Sequence, residues 1–308
     1  MNERAALVAY ARGSIARGSK SFAAASKLFG HTTRERVWLL YAWCRKCDDM
    51  ADGQDHGGQM GGIADPQARL HAIRDLTSKA MNGETTGEPA FDCLGIVARE
   101  CGLTRKMADD VIEGFALDTV GWQPRHEHDL YRYCYHVAGA VGVMMAVVMG
   151  IASGDDDTLD RACDLGIAFQ LANIARDIAE DGRAGRCYIP DDWLAQLDLE
   201  PGEHLRPHNR KKLALMGRWL ADETEQYEAS AKVGAARLPF RARWAVLTAA
   251  GIYGDIARKV RAAGEHGWDR RIFTSRGEKL RWAARAFWDA WQNDPVQASR
   301  EGLWHRHK

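Results

Sequence analysis

The stretch VWLLYAWCRKCDDMAD, residues 37–52, decides how this chain folds, and LGIAFQLANIARDIAED, residues 165–181, repeats its plan. Each is an apolar run at helical spacing that ends in acidic residues. At about 100° per residue, Tyr41, Arg45, Asp48 and Asp52 fall within roughly 60° of one another, so one helix stripe carries a phenol, a guanidinium and two carboxylates. The same arithmetic puts Gln170, Asn173, Asp177 and Asp181 on a second stripe. Carboxylate and amide oxygens suit magnesium, which takes one or two protein carboxylates and fills its octahedron with water and phosphate oxygens. Two facing helices so equipped would clamp a diphosphate through metal ions. Acidic residues at this spacing are also common on solvated helix faces, and DDxxD alone is a weak signal. The apolar company of both stripes points them toward an interior, where an uncompensated carboxylate is very costly.

The rest of the chain reads as helix. Thr32-Thr33-Arg34-Glu35 matches a capping box opening the first acidic helix, and the Gly-rich stretch 53–62 closes it. Asp65-Pro66 starts another helix, Thr104 caps one running to about Asp118, and further helices fit 128–152, 157–181, 207–235, 239–263 and 275–292. No period-two alternation is sustained, so strands are not expected. No linker or repeat divides the 308 residues, which read as one domain with a loosely ordered tail over 293–308. A net charge of zero favours no nucleic-acid partner. Met1 to Ala16 carry Glu3, Arg4 and Arg12 and do not resemble a signal peptide. Seven scattered cysteines, an odd number, point to reduced thiols in a cytosol.

Several tempting motifs fail on detail. Residues 13–21, GSIARGSKS, miss the phosphate-loop pattern because Ser19 separates the second glycine from Lys20, and no strand precedes them. Cys44 and Cys47 have redox-motif spacing but lie inside a helix, and no second pair completes a zinc site. His126-Glu127-His128 falls in a polar loop. No dinucleotide fingerprint occurs. Residues 133–154 lack formal charge and are long enough for a membrane span, yet His136, Ser153 and three internal glycines argue against one. Ala138, Gly142, Ala146 and Gly150 instead form a smooth strip, serving either close helix packing or an elongated void beside Val141, Met144, Met145, Val148 and Met149. The role of the acidic series Asp110, Glu113 and Asp118 stays open.

Five runs carry a resemblance: GSKSFAAASKLF (18–29), LYAWCRKCDDMAD (40–52), YCYHVAGAVGVMM (133–145), QLANIARDIAEDGRAGRCYIP (170–190) and RGEKL (276–280). In collinear order from about residue 10 to about residue 290, they resemble the squalene and phytoene synthase family, and its bacterial phytoene synthases above all. The resemblance implies an all-α isoprenoid synthase bundle with a central active-site cavity, and a strip along 138–150 that walls a channel for prenyl tails. It implies head-to-head condensation of two geranylgeranyl diphosphates to 15-cis-phytoene through a cyclopropylcarbinyl (prephytoene) diphosphate. Magnesium, with manganese as a substitute, would be held by Asp48, Asp52, Asn173, Asp177 and Asp181, and no nicotinamide is expected. Ser19, Lys20, Ser21, Tyr41, Arg45, Gln170, Arg176, Tyr188, Arg271 and Lys279 match positions that contact diphosphate or flank the reacting carbons. Phe22, Tyr41 and Tyr253 are candidates to face a carbocation.

Some dehydrosqualene-forming relatives carry histidine before the Ser-Lys-Ser-Phe run, where this chain has Gly18, which favours the longer substrate. The alternatives are a farnesyl-using (dehydro)squalene-type synthase, a class I terpene cyclase, or a non-catalytic helical assembly factor on the same fold. A forty-carbon hydrocarbon must leave water, so peripheral membrane contact and handover to a downstream desaturase are expected. The basic, Trp-rich stretch from Arg276, with Leu280, Ala284, Phe287 and Trp291 on one face, is the candidate surface, unless that face packs on the core.

Overall fold

The computed structural model describes residues 3–55, 58, 59, 65–119, 121–292 and 297–306, without the side chains of residues 20, 21, 24, 52, 54, 55, 58, 59 and 119. Among these residues the chain is helical, apart from one two-residue antiparallel pair, Gln54–Asp55 with Gly58–Gln59, in the Gly-rich stretch where no strand was expected. Contacts gather the chain into two compact units, Met1–Val120 with Val143–Leu159, and Gly121–Gly142 with Asp160–Lys308.

In the first unit, α1 (Glu3–Gly18) and α2 (Lys20–Ser26) lead into α3 (His31–Asp52), followed by α4 (Pro66–Met81), α5 (Pro89–Cys101) and α6 (Arg105–Thr119). Helix α3 packs on α1, α4 and α5. Val37, Leu40, Trp43 and Cys47, at three- and four-residue spacing, are at most 1% exposed. Burying such a side chain stabilises by about 1.5–3 kcal/mol, which anchors the acidic end of the helix. The expected capping box at Thr32 does not form. The helix opens earlier, at His31 after Gly30, with no side-chain cap, because Arg4 of α1 recruits Glu35 at 2.7 Å. Arg4 and Arg36 also bind Glu100 of α5, at 2.5 and 2.9 Å. The signals at Asp65 and Thr104 do form caps, accepting from Gln67 N and Met107 N. Lys106 answers Asp110 and Arg74 answers Glu113, so part of the open acidic series consists of ion pairs.

The second unit holds α7 (Glu127–Cys134), a π-helical turn (Tyr135–Gly139), the start of α8 (Ala140–Val148) and most of α9 (Asp156–Arg183). It continues through α10 (Asp191–Gln196), α11 (Arg210–Ala235), α12 (Phe240–Ala263) and α13 (Arg276–Gln292). The uncharged stretch is therefore two short helices joined by a π turn, and no helix among the described residues is long and apolar enough to cross a membrane. Its small strip serves close packing where α8 meets α9: a Cβ on Gly142 would stand 2.5 Å from the Ala162 carbonyl oxygen, and one on Gly166 would overlap the Ala138 backbone. The channel-wall role does not apply to this end of the strip. Ala172, Ala221 and Ala257 bring α9, α11 and α12 together in a fully buried cluster.

The tail is not loose over 297–306. Arg300 binds the fully buried Asp164 at 2.7 Å and Asp160 at 3.2 Å. Arg306 reaches Asp160 at 2.5 Å, and buried Trp304 donates its backbone N–H to the Tyr227 hydroxyl at 3.1 Å.

Candidate active site

Each acidic stripe was resolved on its own unit. On α3, Arg45 lies between Asp48, 3.0 Å from its guanidinium, and Asp49, which it also binds. Asp49 is buried and Asp48 half-exposed. Both carboxylates thus hold the guanidinium, the buried Asp49 from inside and the half-exposed Asp48 from the outer side. Asp52 ends the helix, and its side chain lies outside the described residues. Tyr41 sits one turn before Arg45, its pKa raised by burial, with Arg45 pulling the other way. The Phe22 ring is tilted against Tyr41 at 5.6 Å. Ser19 caps α2, its hydroxyl accepting from Phe22 N at 3.2 Å, which fixes that ring's helix. Lys20 and Ser21 follow in the first turn of α2, but their side chains lie outside the described residues. At Gly18, any Cβ would collide with the Tyr41 hydroxyl, so a side chain here is incompatible with the present position of Tyr41.

The second stripe occupies the last turns of α9. Arg176 grips Asp177 with two parallel bonds, Nε to Oδ1 at 2.8 Å and Nη2 to Oδ2 at 2.5 Å. Arg271 reaches the same carboxylate at 3.1 Å and also binds Glu180. The hydrogen bond to Asp177 raises the Arg176 pKa against the opposing effect of burial. Asp181 meets Arg186 at 3.3 Å. Burial pushes the Asp181 carboxyl up, Arg186 opposes, and Asp177 adds to the rise. Gln170 and Asn173 face each other at 3.5 Å, the limit of a hydrogen bond. Tyr253 stacks on Phe169 at 4.2 Å, next to Gln170. Tyr188 stacks on Tyr133 at 4.9 Å, and Tyr133 on Trp122 at 5.1 Å. Lys279 stands in the first turn of α13, on an element that packs against α12.

On each stripe the candidate ligands are oxygens, and guanidiniums pair with the carboxylates of Asp48, Asp177 and Asp181. Among the described residues no group of three or more His, Cys, Asp or Glu side chains is placed to hold a metal alone. That is compatible with magnesium, which needs few protein carboxylates when substrate phosphates complete its shell. The redox reading fails: all seven cysteines are free, and burial pushes the Cys44 thiol up to about 12. Gly13 to Gly18 lie in α1 and form no phosphate loop. Glu127 accepts from Trp193 Nε1 at 2.8 Å, which gives that carboxylate a structural partner.

A family model described as squalene/phytoene synthase matches residues 15–283. The chain belongs to the squalene/phytoene synthase family. It is 47% identical over 276 residues to the 15-cis-phytoene synthase of Pantoea ananas, covering 89% of each chain. To the 15-cis-phytoene synthase of a Paracoccus species it is 44% identical over 294 residues, covering 95% of each. A solved dehydrosqualene synthase with ligand superposes with a TM-score of 0.81 at 25% identity, over 92% of this chain and 96% of that one. A squalene synthase from Alicyclobacillus acidocaldarius gives 0.77 at 22% identity, over 86% and 96%. The squalene/phytoene synthase fold is all-α, and the protein is a prenyl-transferring enzyme of isoprenoid biosynthesis.

For this squalene/phytoene synthase, motif reading missed three supports. Asp49 anchors Arg45, and its spacing of four from Arg45 was the available signal. Trp268 donates its indole N–H to the Ala175 carbonyl at 3.0 Å, pinning the segment that carries Arg271 onto α9. Trp122 completes the ring stack behind Tyr188. The last two are tertiary contacts from distant segments, and no local pattern announces them.

Proposed function

We propose that the protein is a phytoene synthase that joins two geranylgeranyl diphosphates head to head and releases two diphosphates. One substrate ionises at its allylic carbon–oxygen bond. The double bond of the other attacks that carbon, and proton loss closes a cyclopropylcarbinyl diphosphate. Its ionisation, rearrangement and a second proton loss give 15-cis-phytoene, without reduced nicotinamide. The single observation that carries the reading is the likeness to 15-cis-phytoene synthases over 89% and 95% of the chain.

Magnesium, with manganese as a substitute, would be held by Asp48 and Asp52 on one stripe and by Asn173, Asp177 and Asp181 on the other, supplying positive charge to the departing diphosphate. Arg45, Arg176 and Arg271 add donors in fork geometry, which matches phosphate oxygens. Their present carboxylate partners hold them in place before substrate arrives. Ser19, Lys20, Ser21, Gln170, Tyr188 and Lys279 are further contacts to the diphosphates and reacting carbons. Ring faces at Phe22, Tyr41 and Tyr253 attract the cation as it forms. The product leaves for a lipid phase, so the enzyme works in peripheral membrane contact and passes phytoene to a desaturase.

Product analysis tests the substrate. Purified protein with magnesium and geranylgeranyl diphosphate, and no nicotinamide, is expected to yield a forty-carbon hydrocarbon. A thirty-carbon product from farnesyl diphosphate alone would overturn the chain-length assignment, and no product from either would leave a non-catalytic factor.

A further inference from the structure

In the second unit, α11, α12 and α13 line a cavity of about 460 Å³ that shares no residue with either acidic stripe. Its lining sets four cations, Lys232, Arg243, Arg258 and Arg285, against two carboxylates, Glu228 and Asp289, around the Trp282 indole. Two glycines on α12 make the room. A Cβ on Gly251 would overlap the Trp282 ring, and one on Gly254 would strike Glu228 and Arg258.

The charges in this recess are unevenly matched. Glu228, only 3% exposed, is shared by Arg258 at 2.8 Å and Lys232 at 3.0 Å. Arg258 and Arg285 both lie over the Trp282 ring, 5.2 and 5.6 Å from its centroid, which fixes their positions. Arg285 meets Asp289 only at 4.0 Å. Arg243 donates to the Ala290 and Leu238 carbonyls, and among the described residues no carboxylate pairs with it. Its Nε and the Trp282 Nε1 are buried without a hydrogen-bond partner.

The lining carries two more cations than carboxylates, with Glu225 outside it 4.0 Å from Arg258; such an excess suits a phosphate-bearing anion, and guanidinium forks favour phosphate geometry. We infer that this cavity binds a phosphate-bearing anion, with Lys232, Arg243 and Arg285 as donors and the Glu228–Arg258 pair as a fixed wall. The anion comes either from free diphosphate or from a phospholipid headgroup.

Titration calorimetry on the full chain in EDTA, at low ionic strength, separates this site from any magnesium-dependent binding at the stripes. The probes are inorganic diphosphate and a soluble short-chain phosphatidylglycerol. One equivalent of at least one probe is expected to bind, and the tighter probe identifies the source. The double variant Lys232→Gln/Arg285→Glu alters two solvent-exposed side chains and leaves Arg258 paired with the buried Glu228, so its helical circular-dichroism signal stays near wild type. It should bind about tenfold or more weakly, equivalent to at least about 1.4 kcal/mol. Binding of neither probe overturns the inference. So does binding that survives the double substitution, since the anion then sits elsewhere. Because the readout needs no turnover, either failure leaves the proposed reaction untouched.

Discussion

Asp177 concentrates the chemistry of its stripe, because Arg176 holds it with two bonds and Arg271 arrives from a segment some 94 residues away. Alanine there removes a candidate metal ligand, takes away the carboxylate that Arg176 grips, and leaves Arg271 with Glu180. Turnover of Asp177→Ala, and of Asp48→Ala on the other stripe, should fall by about 10²–10³-fold or more, with the helical circular-dichroism signal retained. Near-wild-type product formation by either folded variant would sink the metal-clamp reading. Arg271 offers a sharper separation of catalysis from stability. Its side chain is 54% exposed, so Arg271→Ala should change unfolding free energy by no more than about 0.5 kcal/mol while turnover drops. Comparable loss of both would make it a structural residue instead. The stripes were readable because helical spacing is local arithmetic. The partners of each carboxylate were not, since Arg271 and Trp268 reach α9 only after the chain folds back.

Helices 239–263 and 275–292 were placed within a residue of α12 and α13, because apolar periodicity and flanking Pro or Gly mark such elements. Misreadings arose where a tertiary partner outbid a local one, as when Arg4 took Glu35 from the capping box. They also arose where a short polar segment buries one aromatic, as Trp304 does in the tail. That tail is an element in its own right. Asp164 is buried, and desolvation raises its pKa although Arg300 bonds it twice and opposes the rise. A carboxyl raised in the folded state contributes stability below the ordinary aspartate range and loses it as pH climbs through the raised value. Removing the guanidinium pushes that value higher. Arg300→Met should therefore cost about 3–5 kcal/mol at neutral pH, as for other broken buried pairs, with a smaller deficit at pH 5 than at pH 8. Adding Asp164→Asn should recover part of the loss. Urea unfolding at both pH values measures this, and an equal deficit throughout would show that the buried charge is not its source.

At the scale of the whole molecule the open question is where a water-insoluble product goes. The face of α13 expected either to pack inward or to stay free is in fact outward: Leu280 is 72% exposed, Trp288 59% and Trp291 69%. Ala286 and Ala290 make the inward contact instead. Phe287 and Trp291 join Phe240 of α12 in edge-on ring contacts, so the patch is broader than one helix. Arg300 and Arg306 are committed to Asp160 and Asp164, which leaves Arg276, Lys279, Arg281 and Arg285 as the basic residues of α13. Aromatic side chains beside such cations suit the interface of an anionic bilayer. Truncating the chain before Pro295 would be a poor test, because it removes Arg300 and Trp304 and uncovers Asp164. Point changes on the outward face avoid that. Vesicles containing anionic phosphatidylglycerol should sediment the wild-type chain, and added salt should weaken the association through its basic component. Trp288→Ala with Trp291→Ala should lower partitioning by about tenfold or more, the scale expected when two large apolar side chains leave the interface. Equal sedimentation of both proteins would move the membrane contact elsewhere, and no sedimentation of the wild type would remove it.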